Sequence, residues 1–447
     1  MNNLVPAAEV AERYDEAGSL APGRVGLYAA SGRRWLEKRW AARVVWGVLL
    51  AEVGVLVWFA LSFQAIDFAV YMWGGREVTH GTQLYLASSG VNFFTYTPLA
   101  AIVFAPIALV PTAVAQVLWE LASVAALAVA AHAVLKLAGW RPTRTEVAAL
   151  TAVSLLLEPV YHTLFNGQVN LILLAIVAVD VWRVSPGRRG GGLGIGIAAA
   201  IKLTPAIFIV LFLLSRRTRA AVTATVTFLA CGLIGFLATP HASWLYWTQR
   251  FYDTARVYPG YVANQSVYGA AIRIFGGPGH VGLWYLPVTI VVAVVGMGAA
   301  AVFARHGDWL RALAVTGVTG LLVSPVSWTH HWVYVIPALI TLARDGRRAQ
   351  IAAGGALALF GLAPLWWTPY SLFRPTYGFH GFVTVVANCY VAAGLAFLAY
   401  MGWRAYQDLN LRHRLAALYG DLALPGQRAA PGARGRQARH PDPEPAT

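Results

Sequence analysis

Apolar runs fill most of the chain, and short basic or aromatic stretches separate them. Val44–Phe59, Val147–Leu157 and Val288–Phe303 are examples. An apolar helix of about 20 residues spans the hydrocarbon core of a bilayer. The pattern predicts an all-α polytopic membrane protein whose first span covers 43–62. Further spans are expected over 112–137, 147–163, 169–184, 191–201, 203–215, 220–238, 283–304, 310–322, 332–343, 350–367 and 382–403, about twelve in all. Several of these are short, so their ends are set only to within a few residues.

The segment 98–110 behaves differently. It is about 13 residues long and carries Pro98 and Pro106, with Pro111 just beyond. If it crossed, the basic loop Lys136–Arg144 and the cluster Arg216–Arg219 would both face outward. Short cytoplasmic loops concentrate Lys and Arg. The segment is therefore expected to be a re-entrant or juxtamembrane helix on the outer face. Three regions follow: a cytoplasmic tail over 1–42, a membrane domain over 43–404, and a cytoplasmic, largely disordered tail over 405–447.

Charge sharpens this picture. The chain has 447 residues, with 34 Lys and Arg against 19 Asp and Glu, and only 12% are charged. A soluble protein has about 25%. The basic residues gather at the ends of apolar blocks, as at Arg33, Arg34, Lys38, Arg39 and Arg43, or Arg344, Arg347 and Arg348. That distribution points to membrane orientation and anionic lipid, not to nucleic acid. Cys231 and Cys389 both lie in apolar runs, so no disulfide framework is expected. A polar N-terminal stretch of mixed charge argues against a cleavable signal peptide.

The expected topology collects the unusual polar residues on the non-cytoplasmic face. Asp67 follows the first span amid apolar neighbours. There it is either a helix N-cap or a functional carboxylate. Asn166-Gly167-Gln168-Val169-Asn170 joins two spans. Its amides can donate to and accept from sugar hydroxyls, or simply cap a turn at Gly167. Lys202 stands between two short apolar halves, with Pro205 starting the second. It either anchors at the headgroups or holds an anion such as phosphate. His330 and His331 are adjacent, so at most one faces a common site. A metal pair would prefer an i, i+4 spacing. Trp328 and Trp332 offer the alternative of an interfacial belt.

Weaker candidates complete the set. Asn264-Gln265-Ser266, near Tyr252, Arg256, Tyr258 and Tyr261, matches a glycosylation sequon and reads better as a substrate-contacting loop. Phe93-Phe94-Thr95-Tyr96-Thr97-Pro98 is an aromatic belt or a sugar platform. Arg76 and His80 are further phosphate candidates. The sequence has no Walker loop, CxxC or HExxH. Gly190–Gly196 lacks dinucleotide spacing and suggests a turn followed by close helix packing.

These motifs, in this order, resemble the C-type glycosyltransferases that use polyprenyl-phosphate sugars. The segments are Asp67-Phe68-Ala69-Val70-Tyr71, Phe94-Thr95-Tyr96-Thr97-Pro98, Asn166-Gly167-Gln168-Val169-Asn170, Lys202-Leu203-Thr204-Pro205 and Asn264-Gln265-Ser266. Within that class they are similar to the actinobacterial α-1,2-mannosyltransferases, over about residues 43–404. The resemblance implies a GT-C-like fold in the bacterial plasma membrane, with both termini cytoplasmic and the site outside. It implies inverting transfer of mannose from polyprenyl-phosphate-mannose to the 2-OH of a mannose on a phosphatidylinositol mannoside, tetramannoside to pentamannoside. In that scheme Asp67 is the base. Lys202, with His331 before His330 and with Arg76, meets the donor phosphate. Tyr71, Tyr96, Asn166, Gln168, Asn170, Asn264 and Gln265 contact sugars. No metal or other cofactor is required. Rival readings are lipomannan or arabinofuranosyl transfer from a related donor, and a lipid or solute transporter. A transporter would place polar residues midway through spans and repeat internally.

Overall fold

The computed structural model describes residues 36, 38–80, 84–90, 92–185, 191–369 and 377–419. The main helices are α1 (Arg39–Ser62), α2 (Ile66–His80), α3 (Pro98–Ala108), α4 (Thr112–Leu137), α5 (Arg144–Leu155), α6 (Glu158–Asn166), α7 (Asn170–Val184) and α8 (Leu193–Ile201). They continue as α9 (Ile207–Leu214), α10 (Thr218–Ala238), α11 (Val267–Phe275), α12 (Tyr285–Arg305), α13 (Trp309–Val323), α14 (Val335–Arg344), α15 (Arg347–Leu362) and α16 (Cys389–Tyr419). Among the described residues β structure is limited to isolated bridges, Ser88 with Phe93 and Asn264 with Trp328. The all-helical class is thus as expected.

Among the described residues four helices, α1, α4, α10 and α12, are each long and apolar enough to cross a membrane. The pair α5–α6 would make a fifth span, bent by 78°. Along α1 only Ala41 and Ala60 are buried, while Val44, Leu50, Val55, Trp58 and Leu61 stand exposed. So much bare apolar surface on one helix fits lipid and not water. The chain is an integral membrane protein.

Several of the other expected spans coincide with helices too short to cross alone. The α7 helix has 15 residues, α8 has 9 and α9 has 8. Nine residues rise about 14 Å, less than half of a 30 Å core. The physical cause lies in the breaks. Lys202 takes an extended backbone at the end of α8, and Pro205 opens a 3-10 turn before α9. The segment near 98–110 is a helix of 11 residues with Thr97 as its N-cap and Pro98 at its start. It packs against α2 and α10.

The first helix starts at Arg39, and α16 runs on through residue 404 to Tyr419. Of the expected tails, residues 1–35, 37 and 420–447 lie outside the described residues. Close packing between short helices comes from small residues. At Gly196 on α8 an added Cβ would lie 2.6 Å from the Ala224 carbonyl of α10. The buried carboxylate of Asp180 accepts the backbone N–H groups of Gly192 and Ile195, capping the start of α8.

Candidate active site

The site is organised by one turn. Gly167 has φ +68° and closes α6, and its carbonyl accepts the indole N–H of Trp119 at 2.8 Å. Gln168 and Asn170 then leave the turn toward different partners. The Gln168 amide nitrogen donates to Asp67 Oδ2 at 2.7 Å. Its orientation is set by two phenols, since Gln168 Oε1 accepts from Tyr71 at 2.9 Å and Tyr96 at 2.8 Å. The hydroxyl oxygens of Tyr71 and Tyr96 lie 2.8 Å apart. With Oε1 committed to donors, only the NH2 can face the carboxylate.

The short linker before Asp67 is fixed in turn by α4. Gln116 accepts the Ala65 N–H at 3.1 Å and donates to the Phe63 carbonyl at 2.8 Å. Those bonds satisfy the backbone groups left open where α1 stops and α2 starts. Asp67 and Tyr71, one turn apart on α2, therefore share a face. Asp67 is half-buried, and among the described residues no hydrogen bond reaches its Oδ1.

The second arm holds a cation. Lys202 Nζ donates to Asn170 Oδ1 at 2.9 Å and lies 2.9 Å from His331 Nε2. It also sits 5.5 Å from the centroid of the Tyr96 ring, an attractive position for a cation. The Asn170 amide nitrogen donates to the His330 carbonyl at 2.9 Å, and the Thr163 hydroxyl donates there too. The turn thus clamps the 3-10 segment Thr329–Tyr334 that carries both histidines.

Lys202 and His331 stand at breaks between helices and Asp67 at the start of α2, none of them within the four long apolar helices. Burial lifts the Asp67 carboxyl above its ordinary range, opposed by the Gln168 bond and the charges of Lys202 and His162. Burial lowers Lys202 to about 7, against the pull of Asp67. Burial and then the Lys202 charge push His331 well below the ordinary histidine range. A neutral ring there accepts the Lys202 proton at Nε2.

The structure brings together Asp67, Tyr71, Tyr96, Gln168, Asn170, Lys202 and His331. His330 points elsewhere: it is buried, and its Nδ1 lies 3.3 Å from the Asn166 amide. Arg76 is exposed farther along α2. The His80 side chain lies outside the described residues. Asn264 and Gln265 are fully buried and spend their amides on backbone. Asn264 accepts from Ser327 N–H and donates to the carbonyls of Pro259 and Pro325. Gln265 donates to the carbonyls of Val262 and Ala387 and accepts from the N–H groups of Tyr390 and Val391. Both amides brace the loop between α10 and α11.

Two residues beside the site escaped the sequence reading. Glu158 and His162 bond each other at 2.8 Å on α6. Their signal was an ionisable i, i+4 pair inside a stretch counted as a span.

Gly167 is where the turn is most vulnerable. A Cβ there would lie 2.6 Å from Phe68 Cβ and 3.1 Å from Ala65 Cβ, in a left-handed backbone that disfavours alanine. Gly167→Ala is expected to push Gln168 away from Asp67. A misplacement of about 1 Å costs on the order of 100-fold in rate. Turnover should fall by that order while the protein still purifies as a folded species, as read by glycosyl transfer alongside thermal melting.

A carboxylate and a lysine held by one turn of a helical membrane protein define a membrane glycosyltransferase once the relatives are considered. The model of glycosyltransferase family 87 matches residues 94–325, more than half of the chain. The chain belongs to that family and is a glycosyltransferase. One relative is a "polyprenol-phosphate-mannose-dependent alpha-(1-2)-phosphatidylinositol mannoside mannosyltransferase" of Mycobacterium tuberculosis. It is 33% identical over 363 residues, 75% of this chain and 84% of the relative. A second, from the same species, is a "polyprenol-phosphate-mannose-dependent alpha-(1-2)-phosphatidylinositol pentamannoside mannosyltransferase". It is 33% identical over 395 residues, covering 82% and 88%. An "alpha-(1->3)-arabinofuranosyltransferase" of Corynebacterium glutamicum is 26% identical over 260 residues, covering 56% and 60%. No solved structure matches.

Proposed function

We propose that this transferase moves mannose from polyprenol-phosphate-mannose to the 2-OH of a mannose on a phosphatidylinositol mannoside, with inversion to an α-1,2 linkage. Asp67 takes the hydroxyl proton, and the phosphate leaves toward Lys202. The observation that carries the reading is the shared turn: Gln168 holds the base and Asn170 holds the cation, two residues apart. A single displacement needs both groups, one at the attacking oxygen and one at the departing phosphate.

The surroundings of Lys202 support a lipid-linked donor. A cleft opens beside Asn170 and His331 and is lined mostly by apolar side chains such as Leu173, Ile207, Phe208 and Leu321. A phosphate at Lys202 with a prenyl chain in that cleft matches charge to charge and apolar surface to apolar surface. The two mannoside-type relatives are equally similar at 33%, so identity does not choose between acceptors. The tetramannoside is our choice of acceptor. Twelve crossings, some assembled from two short helices, would leave both termini cytoplasmic and the site on the outer face, following the basic loops. The residues that act in this scheme need no metal.

The test is mannose transfer by purified protein in nanodiscs, given polyprenol-phosphate-mannose and tetramannosylated phosphatidylinositol. We expect a pentamannosylated product that forms equally well in EDTA. Product from an arabinofuranosyl donor instead, or none from either donor with folded protein, would overturn the reading.

A further inference from the structure

The bend between α5 and α6 buries a carboxylate that the transfer scheme leaves unused. Glu158, the first residue of α6, is fully buried. Donors converge on it. Trp366 Nε1–H reaches Oε1 at 2.9 Å, and the Tyr390 hydroxyl reaches Oε2 at 3.0 Å. His162 Nδ1 lies 2.8 Å from Oε1 and 2.9 Å from the Thr329 hydroxyl. A carboxylate offers no proton, so Nδ1 carries the hydrogen at that contact and the neutral ring has its lone pair on Nε2. Among the described residues nothing bonds Nε2, and the His162 side chain keeps 20% of its surface open.

A buried carboxylate is expensive unless a cation can form beside it. Among the described residues no Lys or Arg pairs with Glu158, and His162 is its one ionic partner. The carboxylate is placed against the ring's Nδ1, where it would favour positive charge forming on the imidazole. Its position suits the reaction. His162 stands edge-on to His330 at 5.4 Å, and α6 runs from it directly into the turn that holds Asp67.

We infer that Glu158 and His162 form the proton-receiving dyad of the transferase, with His162 Nε2 taking over the proton that Asp67 removes from the attacking hydroxyl. The inference rests on the transfer reading above. The acceptor oxygen bonds to the anomeric carbon, and the carbon–oxygen bond to phosphate breaks with its electron pair on phosphate. The hydroxyl proton goes to the Asp67 carboxylate and then to Nε2. Asp67 is again ionised, and the imidazolium rests against Glu158 until water removes the proton.

The experiment compares wild type, Asp67→Asn, His162→Ala and Glu158→Gln in the transfer assay. His162→Ala should lower kcat by about 10–100-fold, at or below the low end of a primary general base, with both KM values within about threefold. Added imidazole should restore much of the rate, and 1,3-dimethylimidazolium, which cannot take a proton, should not. Glu158→Gln keeps an oxygen for Trp366 and His162 but loses the charge, and should lower kcat about tenfold. Wild-type turnover in Glu158→Gln overturns the dyad, as does a His162→Ala defect that imidazole leaves unchanged at an unaltered melting temperature. Absence of transfer by the wild type would instead remove the reading on which the dyad rests.

Discussion

Replacing Asp67 by asparagine should lower kcat by about 10²–10⁴ while leaving acceptor KM within about threefold. The substitution is nearly isosteric. An asparagine oxygen can still accept the Gln168 N–H that now reaches Oδ2 at 2.7 Å, so the phenol–amide cluster behind it keeps its geometry. What disappears is the lone oxygen able to take a proton. The environment suits Asp67 to that task. Burial raises its carboxyl above the ordinary range, and the Gln168 bond and the Lys202 charge only partly offset this. A base whose affinity for protons rises toward the working pH is stronger and still ionised. Steady-state mannose transfer across acceptor concentrations reads the effect. Equal turnover by the variant would mean that the base lies elsewhere, with His162 the next carboxylate-held group to examine.

Much of this site was legible in the sequence because charge in an apolar chain is conspicuous. Asp67 and Lys202 stood out as lone ionisable residues at breaks in hydrophobic runs, and the structure joins them through Tyr96, Gln168 and Asn170. The breaks themselves were legible as well: Pro98, Gly167 and Pro205 each sit at a helix end. Span lengths were less legible. Hydropathy reports how apolar a stretch is, but not whether it is one straight helix. The run 147–163 is two helices meeting at 78°. That bend carries Glu158 and His162 into the interior, where a straight span would have left them unexplained. Amide pairs proved ambiguous for a related reason. Asn264-Gln265 and Gln168-Val169-Asn170 look alike as strings. Whether an amide serves backbone or substrate depends on which carbonyls the fold leaves open around it, and that is a tertiary matter.

Lys202 should govern the opposite limb of the pH profile. If its ammonium stabilises the departing phosphate, Lys202→Met should cost about 10²–10³ in kcat, the magnitude typical of losing one preorganised electrostatic contact. The pH dependence gives a sharper test than the magnitude. Burial brings Lys202 down to about 7, with Asp67 resisting the shift. The ammonium is therefore present below about pH 7 and lost as the pH rises through it. Asp67 works in the opposite sense, since its carboxylate forms only as the pH rises through a raised value. Activity should follow a bell whose falling limb lies near neutrality. Because the two groups interact, its limbs report the pair and not either residue alone. Arginine stays charged throughout this range. In Lys202→Arg the falling limb should vanish while the rising limb persists, even if overall turnover drops because a guanidinium cannot reproduce the bonds to Asn170 and His331. A falling limb unchanged in Lys202→Arg would assign it to another group and remove the charge on Lys202 from the mechanism. Its loss would mean that one buried ammonium, held by an amide and a neutral imidazole, sets the alkaline boundary of the transfer.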